Sequence, residues 1–161
     1  MRKRNSSYST LLAISLFTVM VLAAAPAAAV DPPVVINEIQ VSTTGTDWEF
    51  VELQGVAATD LTGLALVGIE SDAGSASAGT IDLAIDLSGQ AIPADGFWLA
   101  ISPTGASTYG VSGEMAISDN SFENSSATYF LVSNLTGSQD DDLDTDDDGT
   151  LDIVPLSLIH I

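Results

Sequence analysis

The residues best suited to chemistry in this chain are carboxylates, and they are concentrated in one stretch. Seven of the nine residues from Asp140 to Asp148 are aspartate, a density of like charge that is costly to hold compact without a cation. Asp144, Asp146 and Asp148 alternate and are followed by Gly149. Carboxylates at alternating positions can converge on one ion, and glycine permits the sharp turn that brings them together. In that register Thr150 offers its backbone carbonyl and Asp152 a direct or water-mediated contact. The expected ion is calcium, held weakly, on the order of 10⁻⁴ to 10⁻³ M as in extracellular modules. A solvated acidic loop is the alternative for any charge run, but alternation followed by glycine is more specific than charge alone.

The segment resembles the calcium loops of EF-hands, dockerins and thrombospondin type 3 repeats. It departs from the first of these at the twelfth position, where Pro155 stands in place of the bidentate glutamate that closes an EF-hand loop. No helical pattern flanks it, which argues against a true EF-hand.

Other chemistry is largely excluded by what the chain lacks. There is no cysteine and one histidine, His160, so Ser-His-Asp and Cys-His arrangements have no base and a histidine-ligated zinc site has no ligands. Of the carboxylate pairs, Glu49 and Glu52 are three apart on an expected strand and point to opposite faces, so they cannot flank one bond. Glu38 and Glu52 can meet across a hairpin. The expectation for Asn37, Glu38 and Glu52 is a structural role, bonding to backbone or turn groups at a sandwich corner. Trp48, Phe50, Phe97 and Trp98 could form a stacking platform for a carbohydrate. Phe97 and Trp98 are adjacent, however, which puts one ring on each face, and core packing is the favoured reading.

The elements that must position these groups read as strands. Residues 34–41 are rich in β-branched side chains, and residues 48–53 set two aromatics among Val and Leu, with turn chemistry around Gly45 between them. On the first strand the period of two puts Val34, Ile36 and Glu38 on one side and Val35, Asn37, Ile39 and Val41 on the other, so both faces are largely apolar. That fits a strand covered on two sides, or one close to a sheet edge with a neighbouring layer, better than a strand open to water. Further strands are expected at 63–70, 80–87, 97–102 and 127–133, with a weaker one near 114–118. In the 80–87 segment Ile81, Leu83, Ile85 and Leu87 alternate with Asp82, Ala84 and Asp86, predicting one core face and one wet face. Short strands punctuated by Gly, Pro and Asp, without a convincing helical period, predict an all-β sandwich.

Four pieces of sequence carry a family resemblance: Asn37-Glu38-Ile39, Glu49-Phe50-Val51-Glu52-Leu53, Asp60-Leu61-Thr62-Gly63-Leu64, and Ile92-Pro93-Ala94-Asp95-Gly96 leading into Phe97-Trp98-Leu99. In this order and at these spacings, residues 34–132 resemble a lamin tail domain of the secreted bacterial kind. The resemblance implies an immunoglobulin-like β-sandwich, usually one module of a larger surface or secreted protein and frequently joined to a separate catalytic domain such as a nuclease. It brings no catalytic residues.

The ends of the chain and its charge set the remaining expectations. Arg2, Lys3 and Arg4 precede an apolar run at residues 11–25, and Ala27-Ala28-Ala29 offers a small-residue cleavage site, which together read as a secretory signal peptide over residues 1–29. The run is shorter than the roughly 20 residues a membrane span needs. That segment holds every Lys and Arg, while all 22 Asp and Glu follow it. Such a surface repels phosphate backbones and anionic lipid, so direct nucleic-acid or membrane binding is not expected. It suits a salty or metal-rich medium that screens self-repulsion.

Residues 30–139 are expected to form the sandwich and residues 140–155 the acidic segment within or just after it. The tail, residues 156–161, resembles a translated sequencing-adapter sequence, with a native edge strand as the alternative. A foreign tail would leave the sandwich without its last strand or strands, and with an exposed edge. The functional expectation is a secreted, non-catalytic module that binds an unknown protein or surface ligand or serves an architectural role. The alternatives are an N-terminal accessory module of a secreted nuclease or phosphoesterase, with its catalytic domain downstream, and a calcium-dependent adhesin or surface component.

Overall fold

The computed structural model describes residues 34–41, 45, 47–71, 78–124, 126–153 and 157–160. The expected signal peptide, parts of the turn after the first strand and of the loop after Ser71, and Pro155 lie outside them. The order of elements is β1 (Val34–Gln40), β2 (Phe50–Gly55), β3 (Leu64–Glu70), β4 (Ile81–Asp86), β5 (Phe97–Ile101), α1 (Pro103–Tyr109), β6 (Met115–Ala116), β7 (Ala127–Ser133) and β8 (Ser157–His160). They form two four-stranded sheets, β1-β2-β5-β6 and β4-β3-β7-β8. All pairings are antiparallel except β5 with β6. The fold is all-β and sandwich-like, and the 157–160 segment is the last strand of the second sheet, paired with β7.

The main core lies between the sheets. Val34, Val51, Leu53, Trp98 and Ala100 from the first sheet meet Leu66, Leu83 and Leu131 from the second. Trp98 is fully enclosed, and its indole N–H donates to Gln90 Oε1 at 3.1 Å, the partner a buried indole requires. Gly68 sits where a Cβ would lie 2.9 Å from the Tyr129 ring and 3.2 Å from Leu83 Cβ. A larger residue there would displace that ring from the core.

Two bulges correct the strict alternation expected from the sequence. In β1 the register shifts between Ile36 and Glu38, so Asn37 is left out of the ladder. The extra residue resets the phase, and Val34, Ile36, Ile39 and Val41 all reach the one core. The apolar residues on two apparent faces are therefore one buried face on either side of a bulge. In β4 the shift falls opposite Gly68 and Ile69, and Asp82 is skipped. Leu83, Ile85 and Leu87 pack into the main core, whereas Ile81 turns to a second cluster.

That second cluster covers the outer face of the second sheet, with Ala65, Val67, Ile69, Ile81, Val132 and Leu143 at its centre. Strand β3 is thus buried on both sides. Leu143, from the middle of the aspartate run, and the partly buried Leu135, just beyond β7, join this cluster from outside the sheet.

The short helix α1 was not expected from periodicity. Its signals are local: Ser102 Oγ accepts the Gly105 N–H at 3.1 Å, proline opens the first turn, and Gly110 ends the helix at φ 68°. These are N-cap, N1 and C-terminal glycine roles, and two turns are too few for an apolar stripe to show.

Candidate metal centre

The acidic segment is tied to the edge of β4 before it curls. Asp140 N–H donates to the Ile81 carbonyl at 2.8 Å, Ile81 N–H to the Asp141 carbonyl at 2.9 Å, and Leu143 N–H to the Gly79 carbonyl at 3.2 Å. Leu143 is 1% exposed and plugs the second core. Gly79 has φ 83°, and a Cβ there would come within 2.5 Å of Asp144 Cβ. Glycine at residue 79 therefore lets the acidic segment approach, and the only apolar residue among nine holds it down.

From Leu143 the chain turns tightly around Asp144, which is nearly enclosed. Its carboxylate oxygens accept the Asp148 N–H at 3.1 Å and the Gly149 N–H at 2.8 Å. Asp147 and Gly149 take left-handed conformations, φ 55° and 84°, which aspartate tolerates and glycine adopts freely. The loop is closed by Asp152: its N–H donates to the Leu143 carbonyl at 2.7 Å, and its Oδ2 accepts the Thr145 N–H at 3.0 Å and hydroxyl at 2.6 Å.

This geometry gathers Asp144, Asp146 and Asp152, each offering an oxygen within 4.8 Å of the others. The three could hold a metal ion. Asp148, expected as the third alternating ligand, is outside that trio, and its Oδ1 accepts the Thr150 N–H at 2.8 Å. Thr150 is held in the loop through this turn bond. Asp148 still acts on the site: its charge is the leading cause raising the Asp146 pKa, followed by desolvation and the charges of Asp152 and Asp144. Such a carboxylate gains from a cation that offsets its neighbours.

Elsewhere, Glu38 and Glu52 stand opposite each other on β1 and β2, and Asn37 Nδ2 donates to Glu52 Oε1 at 2.6 Å. Glu49 points away from this pair. It has no exposed surface and accepts the Ser121 N–H at 2.7 Å and the Phe122 N–H at 3.2 Å, fixing the loop between β6 and β7 to the start of β2. Desolvation raises its pKa, partly offset by those two bonds. The corner carboxylate is thus Glu49 rather than the Asn37, Glu38 and Glu52 set, and the sequence offered no signal separating it from Glu52 beyond strand parity. Of the aromatics, Trp98 is core, whereas Trp48 is 36% exposed and meets Tyr109 edge to face.

No helix among the described residues is long and apolar enough to cross a membrane. No family model, curated protein or solved structure matches the chain.

Proposed function

We propose that the protein is a secreted, non-catalytic, immunoglobulin-like module of the lamin-tail type that holds one calcium ion in its acidic loop and serves a binding or architectural role. The observation that carries the calcium reading is the trio Asp144, Asp146 and Asp152, drawn together by a loop that Leu143 and Gly79 anchor to the sandwich. Carboxylate oxygens on a curled loop open to water suit calcium, which takes six to eight oxygen ligands in flexible geometry. Magnesium needs a stricter octahedron and gives up its waters reluctantly. The apolar run and small-residue site before Val30 support export, and extracellular millimolar calcium matches a weak site.

Thermal unfolding with calcium and with chelator tests this reading. With a dissociation constant of about 10⁻⁴ to 10⁻³ M, 10 mM calcium adds about 1.4 to 2.7 kcal/mol of stability. The expected outcome is a Tm several degrees higher in calcium, a smaller rise in magnesium, and no rise for Asp146→Ala combined with Asp152→Ala. Superimposable curves in calcium and in chelator would refute the site.

A further inference from the structure

The outer face of the first sheet carries a groove that the metal centre does not use. Its floor is a grid set by the strand registers, with Glu38, Glu52 and Leu99 in one row and Gln40, Phe50 and Ile101 in the next. Tyr109 and Val111, at and just beyond the end of α1, form its wall, and the groove, open to solvent, has a volume of about 380 Å³. Tyr109 is 46% exposed and Val111 48%. The Tyr109 ring stands edge-on to Phe50 at 5.7 Å and 89°, and to Trp48 at 6.2 Å and 88°.

Two features define what would fit. Like charges directly opposite on paired strands are destabilising, and Glu38 and Glu52 are such a pair. The chain has no Lys or Arg after Arg4, so no guanidinium or ammonium side chain from residues 34–160 can offset them; the Asn37 amide on Glu52 is neutral. The aromatic walls add apolar surface and ring faces beside the two carboxylates. A guanidinium or ammonium bonds to carboxylates in charge-assisted fashion, its alkyl stem covers apolar surface, and its charge is attracted to an aromatic face. A sugar ring is a poorer match, because Tyr109 is perpendicular to both neighbouring rings and the three offer no common stacking plane.

We infer that this groove receives an arginine or lysine side chain from a basic segment of a partner polypeptide, with Glu38 and Glu52 binding the cation and Phe50 and Tyr109 its stem. The inference gives chemistry to the binding role proposed above and does not depend on calcium, since the metal centre is attached to the other sheet.

The test is a titration of the purified protein, in chelator, with a blocked Gly-Arg-Gly-Arg-Gly peptide, followed by Trp48 fluorescence and calorimetry. The expected result is saturable binding that weakens at least tenfold when citrulline replaces arginine, and at least tenfold with Glu38→Gln plus Glu52→Gln. Asp140→Asn plus Asp147→Asn removes the same charge from the acidic segment and should change affinity less than twofold. Equal loss from both double variants would show diffuse attraction to an acidic surface and overturn the inference. So would the absence of saturable binding, or tighter binding of a neutral oligosaccharide such as cellohexaose than of the peptide.

Discussion

Glu49 joins parts of the chain more than 70 residues apart through two backbone N–H groups. A buried carboxylate is tolerated only when its lone pairs are used, and among the described residues no buried side-chain polar atom lacks a partner. Replacing Glu49 with alanine removes two charge-assisted bonds and strands both amides. The expected loss is about 2 to 4 kcal/mol in urea unfolding, with Glu49→Gln losing less because one acceptor oxygen remains. A loss below about 0.5 kcal/mol, the range of ordinary surface changes, would mean that the Ser121 and Phe122 amides bond elsewhere. At the metal trio the roles divide: Asp144 holds two amides of the loop and the exposed Asp152 closes it through the Thr145 N–H and hydroxyl, while Asp146 is exposed and can change without loss of the sandwich.

At the scale of elements, the acidic segment acts as a strap over the edge of β4, and its attachment can be tested apart from any ion. Leu143→Ala leaves a cavity in the second core, with an expected cost of about 2 to 5 kcal/mol. Gly79→Ala meets both a left-handed backbone and the Asp144 side chain, and should release the strap. Faster amide hydrogen exchange at Ile81, Leu143 and Asp152 in that variant, with β2 and β5 unchanged, is the outcome that checks it. Unchanged exchange at those three amides would show that the strap is not held there.

Much of this element layer was legible in the sequence, because β-branched and aromatic runs separated by Gly, Pro and Asp mark strands directly. The two bulges were not. One unpaired residue, Asn37 or Asp82, inverts the facing of everything beyond it, and nothing in residue type announces it. The helix after Ser102 was legible only through its caps, and Leu143 only as the odd apolar residue in an aspartate run. The alternating motif falls on the loop that gathers Asp144, Asp146 and Asp152, but strand-like alternation does not survive a curled backbone. Asp152, expected as a direct or water-mediated contact, is in the trio, whereas Asp148 is turned to Thr150.

For the whole molecule, the governing fact is a formal charge of −19 with no basic side chain beyond Arg4 except His160. Its pH dependence follows from carboxylates shifted in both directions. Glu49 and Asp82 are raised, each chiefly by desolvation, and Asp82 further by Glu123, Glu70 and Asp140. The folded state then binds protons more readily than the unfolded chain, so stability rises as pH falls through those raised values toward 4.5 and 3.8. Asp60, Asp86 and Asp119 are lowered by hydrogen bonds from Thr62, Ser88 and Thr104 respectively. Their contribution is present above the ordinary 3.8 and is lost as pH falls through the lowered values. Burial raises the Tyr129 hydroxyl to about 12 from 10.0, so stability also declines as pH rises above 10.0. The expected profile of urea midpoint against pH has its maximum on the mildly acidic side of neutrality. A monotonic fall in stability from pH 7 to pH 4 would contradict it. Added salt should narrow the difference between pH 7 and the maximum by screening exposed charges.

Calcium binding at the acidic loop is measured directly by calorimetric titration of the protein with calcium chloride at near-neutral pH and moderate salt. The expected result is one saturable equivalent per chain with a dissociation constant of about 10⁻⁴ to 10⁻³ M, lost in Asp146→Asn combined with Asp152→Asn and retained in Asp140→Asn combined with Asp147→Asn. Unsaturable heats, or an equal response from both variants, would contradict it by showing that calcium meets only a diffuse acidic surface.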